Sequence, residues 1–396
     1  MPAGRVGVTA MKLEGVKVLD LSQFLPGPHL TMMMADHGAT VVRVEPAAGE
    51  PTRAIGKYQG DTTVWFRNTH RSKQSVVLDL KQPEGVAAFL RLAASADVVV
   101  ESFRPGVVDR LGIGPEAVRA INPRVVYCSI SAFGQSGPMA NRVAHDLSVQ
   151  AESGVVSLNR TAAGELALPC VPAADMAGSL MALTGILMAL LRREKTGRGD
   201  TIDISMQDSL VSWMVNIVSP VFAEARELDP TSERSLGGNA LYNVYRCADG
   251  RSLTLGGSEL KFAANLLAAL GRPDLIELCK LPPGRGQDPV REFLAATFAT
   301  RDLAHWEGFL GGLDVCWAAV RGVHEALQSE HLAARRMRLD FADGQTHLGI
   351  PIKFAEEPGA VRPGAPALGE HTASVLAAAG YDAAAIERLK KIGAAG

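Results

Sequence analysis

The chain has 396 residues, of which 47 % are hydrophobic and 21 % charged, and its formal net charge is −2. That length exceeds one ordinary core, so two domains are expected ahead of a single elaborated α/β domain. The near-neutral balance excludes a dedicated nucleic-acid binder, which carries a basic excess, but is compatible with a phosphorylated small molecule held by a few local arginines.

From Val16 the chain alternates between two periods. "VKVLDLS" predicts a strand, and "HLTMMMADHG" a helix stopped at Gly38; "TVVRVE" and "SVVLDL" are strands again. "PEGVAAFLRLAASA" is a helix opened by Pro83 in its first turn. "DVVVESF", "PEAVRAI" and "RVVYCSISAFG" then read strand, helix, strand. Short β-rich runs separated by amphipathic helices imply βαβ units and a mainly parallel sheet. Its strands look apolar on both faces, as where helices cover both sides.

A helix over Ser179–Lys195 is stopped by "TGRGD", and "TIDISMQDSLVSWMV" gives a strand and a further helix. "AEARELDPTSERS", with Pro230, reads as a linker into a smaller α+β region over Leu236–Glu330. There "NVYRCADGRSLTLGG" is a hairpin turning at Asp249-Gly250, followed by three helical stretches. The tail carries a strand, a Pro-rich crossing segment and a helix expected to return to the first domain. The resulting division is 1–225 for a large α/β domain, 226–330 for a small α+β domain, and 331–396 for the crossing segment and return.

Five scattered cysteines show no CxxC spacing, so neither a zinc site nor a disulfide framework is suggested. Reduced and mostly buried thiols in a cytoplasmic protein are expected. The first fifteen residues lack an apolar h-region, so no secretory signal is expected; Met11 is an alternative start, with residues 1–10 as a leader. The uncharged run Met176–Leu191 falls short of the roughly 20 residues that span a bilayer, and "RREK" follows it as cations suited to a helix C-terminus. A buried core helix is expected there, and no membrane partner.

The usual nucleotide motifs are missing. The first strand leads into "SQFLPGPHL", which is not GxGxxG, and no GxxxxGK[ST], HExxH or GxSxG occurs. One acidic residue invites two readings instead. In "VPAADMAGSL", Asp175 can cap the helix that follows it. Equally, the small residues around it leave room for a ligand, and the positive end of a helix would keep the carboxylate ionised as a nucleophile. Spacing alone does not separate the two.

Four stretches in order bear on the choice: "LEGVKVLDLSQFLPGPHLTMMMADHGATVVRVE", "VVVESFRPGVVDRLGIGPEAVRAINPRVVYCSISAFGQSGP", "AHDLSVQAESGVVSLN" and "GILMALLRREKTGRGDTIDISMQDS". Together they resemble the class III CoA-transferases (the CaiB/BaiF family), a group that also contains the α-methylacyl-CoA racemases. The resemblance spans nearly the whole chain. It implies a Rossmann-like doubly wound domain with a smaller α+β domain, in an interlocked homodimer. It also implies CoA and acyl-CoA as substrates beside a small carboxylic acid, with no tightly bound cofactor and no metal.

By that resemblance Asp175 is the catalytic aspartate, attacking an acyl-CoA carbonyl to give an anhydride and then an aspartyl-CoA thioester. "LGGS", with Gly256 and Gly257, resembles the loop that shields such intermediates. His145, ahead of Asp146, matches the racemase histidine that faces the aspartate across the substrate α-carbon, and Glu259 matches the acid that orients it. A structural histidine and a solvated loop glutamate are the alternatives. Arg110 and Arg142 match basic residues near the CoA phosphates; Leu78 and Ser102 match positions lining the adenine pocket. The family often has arginine directly after "VVRVE", where this chain has Pro46, leaving Arg43, Arg53 or Arg71 to hold the phosphate end. "LSVQAESG" and "MAGS" are closer to transferases than to racemases, so CoA transfer is the expected reaction and 2-methylacyl-CoA racemisation the alternative.

Overall fold

The computed structural model describes residues 11–161 and 163–396; the proposed leader, residues 1–10, lies outside them. The chain forms two compact units. The first comprises residues up to Ser153, Pro169–Trp213 and Glu330–Gly396; the second comprises Gly154–Leu168 and Met214–Ser329. Residues 154–168 and 214–225, expected in the large domain, thus fall in the second unit.

The first unit is built on six parallel strands: β1 (Lys17–Asp20), β2 (Thr40–Glu45), β3 (Gln74–Val77), β4 (Val98–Glu101), β5 (Val126–Ser131) and β6 (Thr201–Ser205). They lie in the order β3-β2-β1-β4-β5-β6. Helices fill the connections: α1 (Pro26–Asp36), α2 (Val64–His70), α3 (Pro83–Ala93), α4 (Pro115–Ile121), α5 (Asp146–Glu152) and α6 (Ala173–Thr196), with α7 (Met206–Ser212) after β6. The strand order reverses between β1 and β4. Loops leaving the carboxyl ends of those two strands therefore diverge, and a crevice opens there.

Alternate residues of the strands face opposite sides. On one side Leu19, Val42, Val76, Val99 and Tyr127 form a buried apolar core with Ala88 and Phe89 of α3. The same core takes in Val375 and Leu376 of α11 (Thr372–Ala378) and Ile386 and Leu389 of α12 (Ala383–Lys391). The other side departs from the apolar reading. Asp20, Arg43, Glu45 and Ser75 alternate there, all nearly solvent-free. Arg43 and Lys73 both pair with Asp20, at 3.2 and 2.9 Å, and Arg53 pairs with Glu45 at 2.7 Å. Buried charges persist only when paired and hydrogen-bonded. Here Thr31 and Pro28 complete the shell of Lys73.

α6 starts earlier than the sequence periodicity indicates, at Ala173, and ends at Gly197 in the left-handed conformation (φ +68°). It packs against α1, α5, α7 and strands β5 and β6. Gly178 allows that approach, since a Cβ there would sit 3.0 Å from the Met206 side chain. The expected buried core helix is only partly buried. Ala177, Ala182 and Ile186 are buried, but Met188 and Leu191 are 66 % and 70 % exposed. Length and composition would let α6 cross a membrane, and it is the sole helix among the described residues for which that holds.

The second unit has a three-stranded antiparallel sheet of β7 (Tyr242–Arg246), β8 (Ser252–Gly256) and β9 (Trp317–Ala319), with β8 central. The β7–β8 hairpin turns at Asp249-Gly250, with Gly250 at φ +82°. Leu253, Leu266, Leu294, Phe298 and Trp306 fill its core against α8 (Leu260–Ala269), α9 (Asp288–Phe298) and α10 (Leu303–Gly311). The cysteines are free. Cys128 and Cys247 are buried, but Cys170 and Cys316 are exposed, so the expectation of mostly buried thiols holds for only part of the set.

Candidate active site

The crevice at the β1/β4 reversal is a cavity of about 440 Å³, within the range of small-molecule sites. Every residue lining it belongs to the first unit. The β1–α1 loop supplies Gln23 and Phe24; the loop after β4 supplies Ser102, Phe103 and Arg104. Ser131 and Ala132 end β5, Arg142 and His145 precede α5, and Asp175 and Met206 open α6 and α7. The two diverging loops are tied where they leave the sheet: the Gln23 N–H donates to Ser102 Oγ at 2.8 Å. A roomier cavity, about 830 Å³ and bounded by residues 334–361, holds none of the sequence's catalytic candidates.

The two readings of Asp175 separate here. Pro172, not Asp175, occupies the N-cap position of α6. The capping acceptor comes from α5: Asp146 Oδ1 takes the N–H groups of Ala174 and Asp175, at 2.9 and 3.1 Å. Those are among the first-turn donors that a helix cannot satisfy internally. Asp146 is itself steadied by Gln150, whose Nε2 donates to Oδ2 at 2.6 Å and to the Val171 carbonyl at 3.0 Å. The Asp175 carboxylate makes no hydrogen bond or ion pair with any described residue, and it faces the cavity.

Burial, and then the nearby Asp146 carboxylate, push the Asp175 carboxyl up to about 7. Loss of hydration thus works against the ionised form that the helix end was expected to favour. Glu101, buried at the end of β4, is likewise pushed up to about 7 by burial. Its Oε2 accepts from the Phe103 N–H at 2.7 Å and so orients the loop that lines the cavity.

His145 shares the cavity lining with Asp175. Its imidazole makes no hydrogen bond among the described residues, and its ring meets that of Phe24 edge-on, with centroids 5.5 Å apart. Arg142 also lines the cavity but is paired with Glu152 at 2.5 Å. Arg110 is exposed on the short helical turn Val107–Arg110, outside the lining, although Val107 is within it.

The sequence missed Arg104, which reaches the cavity with no ion-pair partner among the described residues. Its "FRPG" context was visible, but nothing local marks which arginine is free. Phe24 was missed as well.

Several candidates lie elsewhere. Leu78 is 1 % exposed, and the C-terminal segment bridges it at Ala395, so it belongs to the core and lies outside this cavity's lining. Arg43 is buried against Asp20 and the Ser22 carbonyl. Arg71 is buried against Asp36 at 2.7 Å, and Arg53 is clamped on Glu45 and the Pro366 carbonyl. These three are spent on internal partners, and none is available to a phosphate.

Gly256, Gly257 and Glu259 belong to the second unit. Gly257 donates to the Leu241 carbonyl at 3.1 Å, and a Cβ there would lie 2.9 Å from that of Cys316. Only glycine fits that approach. Glu259 is exposed at the N-cap of α8, its carbonyl taking the Phe262 N–H at 3.0 Å while its side chain caps nothing. Among the described residues no cluster of three or more His, Cys, Asp or Glu is arranged to hold a metal ion.

Comparison with known proteins shows the family and the fold. The profile of CoA-transferase family III matches residues 13–372. The chain is 32 % identical to the acetyl-CoA:oxalate CoA-transferase of Acetobacter aceti, over 91 % of this chain and 94 % of that protein. It is 35 % identical to the α-methylacyl-CoA racemase of Homo sapiens, over 81 % of each chain. A CaiB/BaiF family protein from Brucella suis has the same fold, with a TM-score of 0.79 and 27 % identity, covering 93 % of this chain and 100 % of its own.

Proposed function

The chain belongs to CoA-transferase family III, and from that premise we propose that it moves CoA from an acyl-CoA thioester to a carboxylic acid, with Asp175 as nucleophile. The observation that carries this reading is the Asp146 cap. It occupies the amides of the α6 N-terminus and leaves the Asp175 oxygens unengaged at the cavity.

The proposed steps follow from carboxylate chemistry. An Asp175 oxygen attacks the thioester carbonyl, the C–S bond breaks, and an acyl-aspartyl anhydride forms with release of CoA thiolate. The thiolate attacks the aspartyl carbonyl, expelling the first acid as its carboxylate and leaving an aspartyl-CoA thioester. The acceptor carboxylate then attacks that thioester and frees the thiolate again. Attack of the thiolate on the acceptor's carbonyl returns ionised Asp175 and the new acyl-CoA. CoA is substrate throughout, and no tightly bound cofactor enters. Arg104, which lines the cavity without an ion-pair partner among the described residues, is the cation proposed to meet a CoA phosphate, with Arg142 joining it only by leaving Glu152; guanidinium makes charge-assisted, bidentate contacts with phosphate.

Mass spectrometry of the enzyme mixed with a panel of acyl-CoAs tests the proposal. A mass gain mapped to Asp175, trapped by hydroxylamine or borohydride, supports it. Full transfer activity in Asp175→Ala would end it.

A second reading has its own observation. A carboxyl pushed up to about 7 and sharing a cavity with His145 suits proton exchange at neutral pH. In that reading one of the pair removes the α-proton of a 2-methylacyl-CoA while the other returns a proton on the opposite face. Incubation in D₂O without an acceptor acid distinguishes the two: α-deuterium uptake marks racemisation, and its absence leaves transfer.

The exposed apolar side chains of α6, Met188 and Leu191 among them, support a homodimer as the working form. Light scattering at micromolar concentration should give twice the chain mass of 41.9 kDa.

A further inference from the structure

We propose that Phe24 is a positioning residue whose ring fixes the orientation of the His145 imidazole in the cavity. Five non-glycine residues among those described have positive φ, and Phe24, at +63°, is the one that lines this cavity. The left-handed region is costly for a bulky L-residue and persists only where the surroundings over-determine it.

Here they do. The Phe24 N–H donates to Glu50 Oε1 at 2.9 Å, one residue after the Gln23 N–H is taken by Ser102 Oγ at 2.8 Å. Glu50 is 1 % exposed and is held in turn: its Oε2 accepts from the Thr52 N–H at 2.8 Å, and its own N–H donates to Glu45 Oε2 at 3.0 Å. A buried carboxylate chain therefore keeps this one residue in an unfavourable conformation, and the product of that conformation is a ring in the cavity.

The ring's partner explains its use. His145 is exposed and lacks any side-chain hydrogen bond among the described residues, so no second polar group fixes its tautomer or ring plane. What it has is the edge-on contact with Phe24, at an interplanar angle of 87°, one of the preferred aromatic geometries. In the proton-exchange reading of the cavity, a base that must meet one face of a substrate needs a fixed plane.

The kinetic part of the test, followed as α-deuterium uptake into a 2-methylacyl-CoA, rests on the proton-exchange reading of the cavity; the spectroscopic part does not. With ¹³C-labelled histidine and phenylalanine, the unmodified protein should show an NOE between the rings of Phe24 and His145, the His145 signals being assigned by their loss in His145→Gln. In Phe24→Leu, those signals should shift, and kcat should fall at least tenfold with KM for acyl-CoA within about twofold. Phe24→Tyr should restore both the shift and kcat. Absence of the NOE in the unmodified protein overturns the proposal without recourse to any variant. So does Phe24→Leu that leaves both the His145 signals and kcat unchanged. An unmodified protein inert toward every acyl-CoA would end the functional reading alone, while the NOE still decides the positioning.

Discussion

Asp146 and Asp175 divide between them two tasks that one aspartate could have performed alone. Oδ1 of Asp146 holds the backbone N–H of Asp175 at 3.1 Å, while the Asp175 side chain remains unbonded at the cavity. Burial raises the Asp175 carboxyl most, and the Asp146 charge adds to it, so the residue that frees Asp175 also tunes it.

The rate of acyl transfer should therefore rise with pH through about 7. In the proposed transfer the nucleophile is the Asp175 carboxylate, and a carboxyl near 7 is largely protonated below pH 6, where the rate should fall about tenfold per unit. A profile of kcat/KM between pH 5 and 9 checks this. A flat profile over that range would contradict it.

Asp146→Asn keeps an oxygen able to cap α6 but removes the charge that helps raise Asp175. The midpoint of the same profile should move to lower pH, with little loss of stability. Asp146→Ala should instead cost about 1 kcal/mol of stability, as loss of a helix cap does, read by urea titration.

Asp175→Asn should abolish transfer, by about 10³-fold or more, and yet stabilise the fold above neutrality. The folded carboxyl lies above its unfolded value of 3.8, so ionisation opposes folding. The penalty is absent below pH 4, grows between 4 and 7, and is complete above 7. At pH 8 the gain should be on the order of 2 kcal/mol, seen as a higher Tm that vanishes near pH 4.

Lys73→Met should destabilise the first unit by roughly 3–5 kcal/mol, because it leaves Asp20 buried with one partner fewer. Burial raises the Asp20 carboxyl, but Lys73 and Arg43 more than offset it and hold the group well below the carboxylate range. Its contribution is present above pH 4 and lost as pH falls through the folded value. Denaturant titration at pH 7 measures the substitution; a loss under 1 kcal/mol would show that the network is dispensable.

The alternation of strands and helices was legible because each element repeats its apolar residues at a local period. "TVVRVE" and "PEGVAAFLRLA" became β2 and α3 nearly as read. The start of α6 was not legible, since Pro172 and the small residues after it carry no strong period and the cap lies in another helix. Nor was the charged face of β1–β3, in strands expected to be apolar on both faces: Asp20 pairs with Arg43 across the sheet, and Glu45 with Arg53 of the loop that follows β2.

By itself the amino-acid order determined the α/β architecture of the large unit and, through its resemblance to a family, pointed to Asp175 and His145. Which arginines stay free, which oxygen caps α6 and what faces His145 were decided only in three dimensions. Asp36 and Arg71, Asp20 and Lys73, and Asp146 and Ala174 are each separated by dozens of residues. A charge's availability depends on what folding places within hydrogen-bond reach of it, and no local pattern encodes that distance.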